Sequence, residues 1–122
     1  MEYVENGTGF ESETVSETVR KELVQRIVRN LLDIQILRLI QTQPIWGYGV
    51  KKHIEAKFDV RLRHGALYPL LNGMERGKFL TSKKQQQGGR TRKVYSITEK
   101  GKEYLTTYED ILREQISHED IK

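Results

Sequence analysis

The spacing of apolar residues changes from helical to alternating near Gly77. Upstream of that point, apolar side chains recur every three or four residues, as they do on amphipathic helices. Downstream, "KFLTSKK" and "TRKVYSI" are short runs with β-branched or aromatic residues on either side of Gly88-Gly89, which predicts a β-hairpin. The chain therefore combines helices with one hairpin, and we expect a mostly α (α+β) fold.

Three helices are predicted before the hairpin and one after it. The first covers residues 18–42 and ends before Pro44, because proline disfavours the helical conformation of the residue that precedes it. A short second helix follows Gly47, and a third closes near Gly77. After the hairpin, Thr98 is a suitable N-cap for an amphipathic last helix.

Charge is distributed unevenly along the chain. Residues 1–17 carry five acidic and no basic side chains, whereas residues 61–93 carry nine basic side chains and one acidic side chain, a net charge of +8. Such a basic block predicts a surface for a polyanion, and a solvated basic face is the alternative. Residues 1–13 are too polar to bury a helix face, so they are predicted to form a flexible acidic tail.

Several functional classes are excluded by what the sequence lacks. The absence of cysteine rules out disulfides, thiolate nucleophiles and cysteine-ligated zinc. The N-terminus does not resemble a signal peptide, and charged residues interrupt the most apolar stretch before the roughly 20 residues that a membrane span needs. His53, His64 and His118 lack metal-ligand spacing, and no nucleophile has a recognisable partner. We therefore expect a soluble cytoplasmic protein that is not an enzyme and binds no cofactor, metal or membrane.

Three motifs in order resemble the PadR family of transcriptional regulators. "ILRLIQTQPIWGYGVKKHIEAKF" is similar to the first two helices of that family, "GALYPLLNGME" to its recognition helix, and "GGRTRKVYSITEKGKEYL" to its wing and the start of its last helix. The match covers about residues 34–105. It implies a winged helix-turn-helix with extra N- and C-terminal dimerisation helices, in the short form with a single C-terminal helix. Residues 14–97 would then form the DNA-binding domain and residues 98–122 the dimerisation helix.

Four positions depart from the family pattern. Trp46 stands where a smaller or polar residue is common, and Gly49 stands where a longer side chain is usual. Thr91 replaces a proline that often follows the Gly-Arg of the wing. Lys78 occupies the usual turn-glycine position, with Gly77 one residue early, which leaves the end of the recognition helix open by one residue. For Trp46 itself we predict packing in the core or as a hydrophobic staple.

The third predicted helix has the pattern that a helix entering the major groove of DNA needs, an apolar back and a short polar or basic front. Leu67, Leu70, Leu71 and Met74 form the back, and Pro69, which lacks an N–H, predicts a helix start near Gly65. For Tyr68 the alternative is a half-buried ring, and for Asn72 a solvent-facing amide. The candidate DNA-binding residues are Arg61, Arg63, His64, Ala66, Tyr68, Pro69 and Asn72 around this helix, and Lys83, Lys84, Arg90, Arg92 and Lys93 on the hairpin.

Two apolar stripes have no partner in a three-helix core, and the resemblance implies that they meet across a two-fold axis. Packing of the last helix on the first within one chain is the alternative. The candidate dimer-interface residues are Val19, Leu23 and Ile27 near the N-terminus, and Leu105, Tyr108, Ile111, Leu112 and Ile116 on the last helix.

The sequence thus favours a homodimeric, sequence-specific regulator that binds double-stranded DNA at an inverted repeat, most simply as a repressor, and that is nucleoid-associated when bound. A non-specific DNA-coating or RNA-binding winged-helix protein, and an interaction module that has abandoned nucleic acid, are the alternatives. No feature identifies a small-molecule effector.

Overall fold

The computed structural model describes residues 8–117, and of residues 8–14 and residue 87 it describes only the backbone. The chain divides between Leu31 and Leu32 into two compact units. The first contains α1, and the second contains four further helices and three strands. The elements are α1 (Thr8–Asn30), α2 (Leu32–Ile40), β1 (Ile45–Trp46), α3 (Gly47–Phe58), α4 (His64–Arg76), β2 (Leu80–Gln87), β3 (Arg90–Ile97) and α5 (Glu99–Ile116).

The helix predicted over residues 18–42 is two helices, and the first of them begins earlier, at Thr8. Val15 continues the four-residue spacing of the apolar residues that follow it on α1, which extends the helical pattern towards the N-terminus. Residues 8–13 of the predicted tail are therefore helical, and the rest of that tail lies outside the described residues. The division at Leu31 lies between Asn30 and Asp33, two residue types whose side chains compete for backbone hydrogen bonds. Asp33 does so here, since its Oδ1 accepts the N–H of Ile34 at 2.9 Å.

The core of the second unit draws side chains from every one of its elements. The helical spacing predicted for α3 and α4 is confirmed, since Val50 and Ile54 of α3 and most of the periodic apolar residues of α4 are buried. The buried apolar side chains of this unit include Ile34, Ile36, Leu37, Ile40, Ile45, Val50, Ile54, Val60, Leu62, Leu67, Leu71, Met74, Leu80, Tyr95 and Leu105.

The predicted hairpin is confirmed, and a third strand that the sequence did not predict joins it. β2 and β3 pair from Leu80 opposite Ile97 to Gln87 opposite Arg90, and the two connecting residues, Gly88 and Gly89, have φ of 52° and 80°. Two adjacent positive φ values are what a tight two-residue hairpin turn requires. β1 pairs with the other edge of β3, which gives an antiparallel sheet in the order β1-β3-β2. A strand of two residues is too short to carry a periodic signal.

The start of α4 differs from the sequence prediction in one respect. The helix begins at His64 rather than Gly65, so Pro69 is its sixth residue and lies inside the helix. Proline is best accommodated in the first turn of a helix; the start near Gly65 was predicted from that preference, and Pro69 does not meet it. The proline forfeits the bond that its missing N–H would have made to the carbonyl of Gly65, and its ring crowds that carbonyl. The buried Leu67 and Leu71 on either side of it anchor the helix in the core.

The end of α4 explains the unusual positions of Gly77 and Lys78. Gly77 has a right-handed conformation, with φ of −76°, whereas Lys78 has φ of 67°, the left-handed conformation that normally selects glycine. A Cβ on Gly77 would lie 2.8 Å from Cε2 of Phe79. Gly77 is therefore needed for the approach of a ring, and Lys78 bears the backbone strain.

Lys78→Gly is expected to raise the free energy of unfolding by about 0.5–1 kcal/mol. Relief of a left-handed conformation gives about 1–2 kcal/mol, from which the larger chain entropy of glycine subtracts about 0.5–1 kcal/mol. Urea unfolding at fixed protein concentration measures the change. Gly77→Ala, one residue away, is the control and should destabilise the protein; a loss of stability in Lys78→Gly would contradict the assignment.

The start of α5 is attached to the turn that precedes the hairpin. Thr98 is the N-cap, as predicted, because its Oγ1 accepts the N–H of Gly101 at 3.0 Å. The same hydroxyl lies 2.7 Å from the carbonyl oxygen of Lys78, and the N–H of Thr98 donates to the carbonyl of Phe79 at 3.2 Å. The helix N-terminus therefore sits directly on the backbone that leads into β2.

Candidate nucleic-acid interface

The segment that leads into α4 places two arginines on the outside. Val60 and Leu62 are buried, while Arg61 and Arg63 between and after them are exposed. Glu55 fixes this segment, since its Oε2 accepts the N–H of Leu62 at 2.7 Å. The two predicted cations thus lie in solvent immediately before the N-terminus of α4.

The solvent face of α4 is short and carries few large side chains. His64, Ala66, Pro69 and Asn72 are exposed, as the sequence predicted, and a Cβ on Gly65 would meet nothing within 4 Å. On the opposite face Leu67, Leu71 and Met74 are buried, whereas Leu70, predicted to belong with them, is only half-buried. The backbone of the first turns is therefore open to a close approach.

Tyr68 lies between the two faces of α4. It is half-buried and stacks on His64, with the ring centroids 5.5 Å apart and the planes 15° from parallel. Burial, and then the neighbouring Tyr95 and Tyr48, raise the pKa of its hydroxyl. A tyrosine hydroxyl is protonated at neutral pH even without this shift, so it can donate a hydrogen bond.

Three of the predicted cations on the hairpin have solvent-exposed side chains. Lys83, Lys84 and Arg90 are exposed. Near the tip, Nε2 of Gln86 donates to Oγ1 of Thr91 at 2.9 Å, which links the two strands beside the Gly88-Gly89 turn. The turn is thus braced by a side-chain hydrogen bond, and the cations are free to contact a ligand.

Lys93 is directed towards α4, in contrast to those cations. Its Nζ lies 2.6 Å from Oε1 of Glu75, and the hydroxyl of Ser82 donates to the same carboxylate. The hydrogen bond from Lys93, and then that from Ser82, lower the pKa of Glu75, while Glu75 raises the pKa of Lys93. Lys93 therefore joins the hairpin to α4 within the protein, a role that its position in the basic run did not indicate.

Lys93→Met is expected to lower the free energy of unfolding by about 0.5 kcal/mol at pH 7, the usual size for an ion pair that solvent still reaches. Because the pKa of Glu75 is lowered in the folded state, this stabilisation is present above the unfolded pKa and is lost as pH falls through the folded value. The difference between wild type and variant should therefore shrink below about pH 4. Urea titrations at pH 7 and below about pH 4 measure the difference. Lys84→Met is the matched control, since Lys84 lies opposite Lys93 on β2. If Lys84→Met lowered the free energy of unfolding as much as Lys93→Met, the assignment would be contradicted.

A cleft of about 430 Å³ separates α4 from the hairpin. It brings together five of the predicted DNA-binding residues from the two elements. It also contains three aromatic residues that were not predicted for the site, Trp46, Tyr48 and Tyr95. The glycines of "WGYG" were the one sequence signal of accessible rings at this position. The cleft is lined by Trp46, Gly47, Tyr48, Tyr68, Asn72, Arg90, Thr91, Arg92, Lys93 and Tyr95.

Trp46 and Arg92 form the wall of this cleft nearest β1. The guanidinium carbon of Arg92 lies 3.7 Å from the centroid of the Trp46 ring. Packing of Trp46 in the core or as a staple was predicted, and the ring is instead half-buried against a cation. Its location follows from β1, which pairs Trp46 with Val94 and so places the indole beside the residue two positions earlier on β3.

Three titratable side chains, His53, Glu55 and Glu75, have structural contacts. Nδ1 of His53 lies 2.7 Å from the carbonyl oxygen of Gly49, Glu55 binds the segment before α4, and Glu75 binds the hairpin. Within residues 8–117, no group of three or more metal-ligating side chains is suitably placed for an ion. None of the described helices combines the length and apolar character required to cross a bilayer.

The predicted dimer-interface residues differ in how far their side chains are exposed to solvent. On α1, Val19, Leu23 and Ile27 are between 44% and 51% exposed. On α5, Ile111 and Ile116 are 50% and 80% exposed. Tyr108 and Leu112 are half-buried.

Leu105 does not belong to that surface, because it is buried within the chain at 2% exposure. The hydroxyl of Tyr104 donates to Oδ2 of Asp33 at 3.0 Å, and Arg38 lies 3.8 Å from Glu109. The first half of α5 thus packs on α2 in the same chain. The alternative of intrachain packing holds for this half of the helix, and Leu105 is a core residue.

Comparison with known proteins places this geometry in a family. The sequence model of the transcriptional regulator PadR-like family matches residues 36–107, more than half of the chain. The crystal structure of a transcriptional regulator from Thermoplasma acidophilum is 30% identical, covers 72% of this chain and 84% of that one, and gives a TM-score of 0.63.

Two further structures are similar. A PadR family transcription regulator from Clostridium difficile is 28% identical, with 66% of this chain and 85% of that one covered and a TM-score of 0.61. One from Eggerthella lenta is 24% identical, with 82% and 88% covered and a TM-score of 0.67, which supports the fold alone. No curated protein matches the chain.

Proposed function

Because the chain belongs to the PadR-like family of transcriptional regulators, we propose that it is a sequence-specific repressor that acts in the cytoplasm as a homodimer on an inverted-repeat operator. Membership of the family makes the chain a DNA-binding transcription regulator. We propose in addition that it is sequence-specific, that it represses transcription and that it acts as a homodimer. The observation that carries it is the cleft between α4 and the hairpin, which is lined by Asn72 of α4 and by Arg90 and Arg92 of β3.

In this proposal α4 is the recognition helix and enters the major groove of DNA. Asn72 is exposed in the middle of that helix, and an asparagine amide can pair with N6 and N7 of adenine. Ala66 and Pro69 are small enough for the bases or methyl groups to approach the helix. Tyr68 would donate its hydroxyl to a base edge or a phosphate.

The basic residues around α4 would contact the DNA backbone. Arg61 and Arg63 precede the helix, where a phosphate strand flanking the major groove would pass. Lys83, Lys84 and Arg90 on the hairpin would contact the neighbouring phosphates or the minor groove. Such contacts set position and register and carry no sequence information directly.

The exposed apolar residues of α1 and α5 would form the dimer interface. Each helix exposes a row of large apolar side chains, namely Val19, Leu23 and Ile27 on α1 and Ile111 and Ile116 on α5. Monomeric proteins rarely expose extended apolar patches of this kind. Analytical ultracentrifugation of the full chain and of Ile111→Ser/Ile116→Ser decides this point. The wild type should sediment as a dimer and the variant should dissociate at higher concentrations; a monomeric wild type would overturn the homodimer.

Selection of bound duplexes from a random-sequence library, with the purified protein at physiological salt, tests the function as a whole. Enrichment of an inverted repeat supports the proposal. Enrichment of no sequence would favour the non-specific DNA-coating alternative, and loss of all duplex binding would favour a partner other than DNA.

Arg90→Ala and Lys84→Ala are each expected to weaken every DNA sequence by a similar factor. Each should flatten the slope of log affinity against log salt concentration by about 1, because one phosphate contact is lost. Fluorescence anisotropy on the selected site and on bulk DNA measures both quantities. Lys102→Ala is the control, since Lys102 lies on α5 and pairs with Glu99; a change in preferred sequence for Arg90→Ala would show that this residue reads bases.

A further inference from the structure

The indole of Trp46 is held on three sides. The guanidinium of Arg92 lies over the ring at 3.7 Å from its centroid. The ring of Tyr48 packs at an angle of 46°, with the centroids 5.2 Å apart. On the remaining side, a Cβ on Gly49 would lie 2.9 Å from Nε1 of the indole and 3.0 Å from its Cδ1.

These distances connect Trp46 and Gly49, two departures from the family pattern whose relation was not visible in the sequence. A side chain at position 49 would occupy the space of the indole, so the large residue at position 46 requires the glycine at position 49. Glycine at position 49 thus makes room for the indole, and the ring serves as the surface on which Arg92 rests.

Among the side chains that the structure describes, Arg92 has no anionic partner. Its Nε is buried and has no hydrogen-bond partner, and the residue takes part in none of the ion pairs found among the described side chains. The carboxylate of Glu75 is bound to Lys93. Stacking occupies the flat face of a guanidinium and leaves the N–H groups at its edge available for an anion.

The surroundings of Arg92 select the kind of anion. The cleft that it lines also contains Arg90 from the same strand, and no acidic side chain is among the residues that line it. It faces Tyr68 and Asn72 of the proposed recognition helix. A phosphate of a duplex bound against that helix matches both the charge and the position.

We propose that Trp46 is a positioning residue for DNA binding: its indole holds the guanidinium of Arg92 at the cleft in the orientation that contacts a phosphate. This inference rests on the proposed function. A free arginine must lose rotamer freedom when it contacts DNA, whereas a stacked one has lost most of that freedom beforehand. Trp46 therefore raises DNA affinity without touching DNA and without contributing charge.

A double-mutant cycle tests the inference, with affinity for the selected site measured by fluorescence anisotropy as a function of salt. Arg92→Ala should weaken binding and flatten the salt slope by about 1. Trp46→Leu should weaken binding about tenfold with a nearly unchanged slope, because the charge remains. In the Arg92→Ala background, Trp46→Leu should have no further effect on affinity.

A variant that leaves the indole in place covers the case in which Trp46→Leu does not fold. Arg92→Lys keeps the charge but removes the flat guanidinium, so it should weaken binding while retaining the salt slope. Since Trp46 is the only tryptophan, its fluorescence in the free protein should change in Arg92→Lys and report loss of the stack. Lys52→Ala, which removes a cation 5.3 Å from the neighbouring Tyr48 ring, is the matched control and should not couple with Trp46.

The outcomes separate this inference from the function on which it rests. If the wild type selects no DNA sequence, the proposed function fails. If the wild type selects a site but Trp46→Leu weakens binding equally with and without Arg92, then Trp46 is a structural residue only and the positioning role is wrong. Full affinity and an unchanged salt slope in Arg92→Ala would equally overturn it.

Discussion

Gly101→Ala is expected to lower the free energy of unfolding by about 3 kcal/mol, at the upper end of the usual cost of overpacking. A Cβ at this position in the first turn of α5 would lie 2.2 Å from the carbonyl oxygen of Phe79 and 2.8 Å from Cγ1 of Ile97. The first obstacle is backbone, so the added methyl group cannot be accommodated by a side-chain rotation. Either α5 or the turn before β2 must move, and with it the hydrogen bonds of Thr98.

Gly73→Ala is the matched control, because it makes the same substitution inside a helix with the opposite expected sign. A Cβ on Gly73 would meet only the end of Arg76 at 3.7 Å, an ordinary contact, so alanine should stabilise α4 by about 0.5–1 kcal/mol. Urea unfolding followed by circular dichroism, at one protein concentration because the chain is proposed to dimerise, measures both variants. If Gly101→Ala unfolds like the wild type, the proposed contact between α5 and the backbone of Phe79 does not exist.

The order of the elements could be predicted from the sequence because each one carries its own local signal. The apolar spacing of α3 and α4 and the strand runs around Gly88-Gly89 depend only on neighbouring residues, as does the N-cap at Thr98. β1 could not be predicted this way, since two residues become a strand only by pairing with Tyr95 and Val94. The end of one helix at Asn30 was likewise hidden, because the apolar spacing continues across it.

The exposure of the predicted site residues follows from their neighbours in the sequence, whereas their contacts do not. The side chains of Arg61, Arg63, Lys83 and Arg90 are exposed, which the polar context of each residue already indicated. The contacts of Lys93 with Glu75 and of Arg92 with Trp46 join residues that are far apart in sequence. A cation in a basic run can equally face solvent or a neighbour, and only the fold decides which.

The same argument applies to α5, where one helical stripe serves two purposes. Leu105 is buried and Ile116 is 80% exposed, although both fit the same amphipathic pattern. The pattern identifies a face and does not indicate how far along the helix its own chain covers that face.

Insertion of five base pairs between the half-sites of the selected operator is expected to reduce affinity to about the non-specific level, a loss on the order of a thousandfold or more. A two-fold dimer presents two α4 helices to one face of B-DNA, so the half-site centres should lie roughly 10 base pairs apart, or twice that. Five base pairs rotate one half-site by about half a turn, and only one α4 can then reach its groove.

Insertion of ten base pairs is the companion measurement. It returns the two half-sites to the same face of the DNA duplex but adds about 34 Å to the distance between them. Affinity should stay low there, since a folded dimer has a fixed spacing, whereas two independent monomers would bind both spaced sites as well as the original. Asn72→Ala should change the preferred base at the same position in both halves, and Arg90→Ala should change neither. A gel-shift titration distinguishes these outcomes, because complexes with one protomer and with two protomers migrate separately. Equal binding to the original site and to both spaced sites would contradict a dimeric repressor.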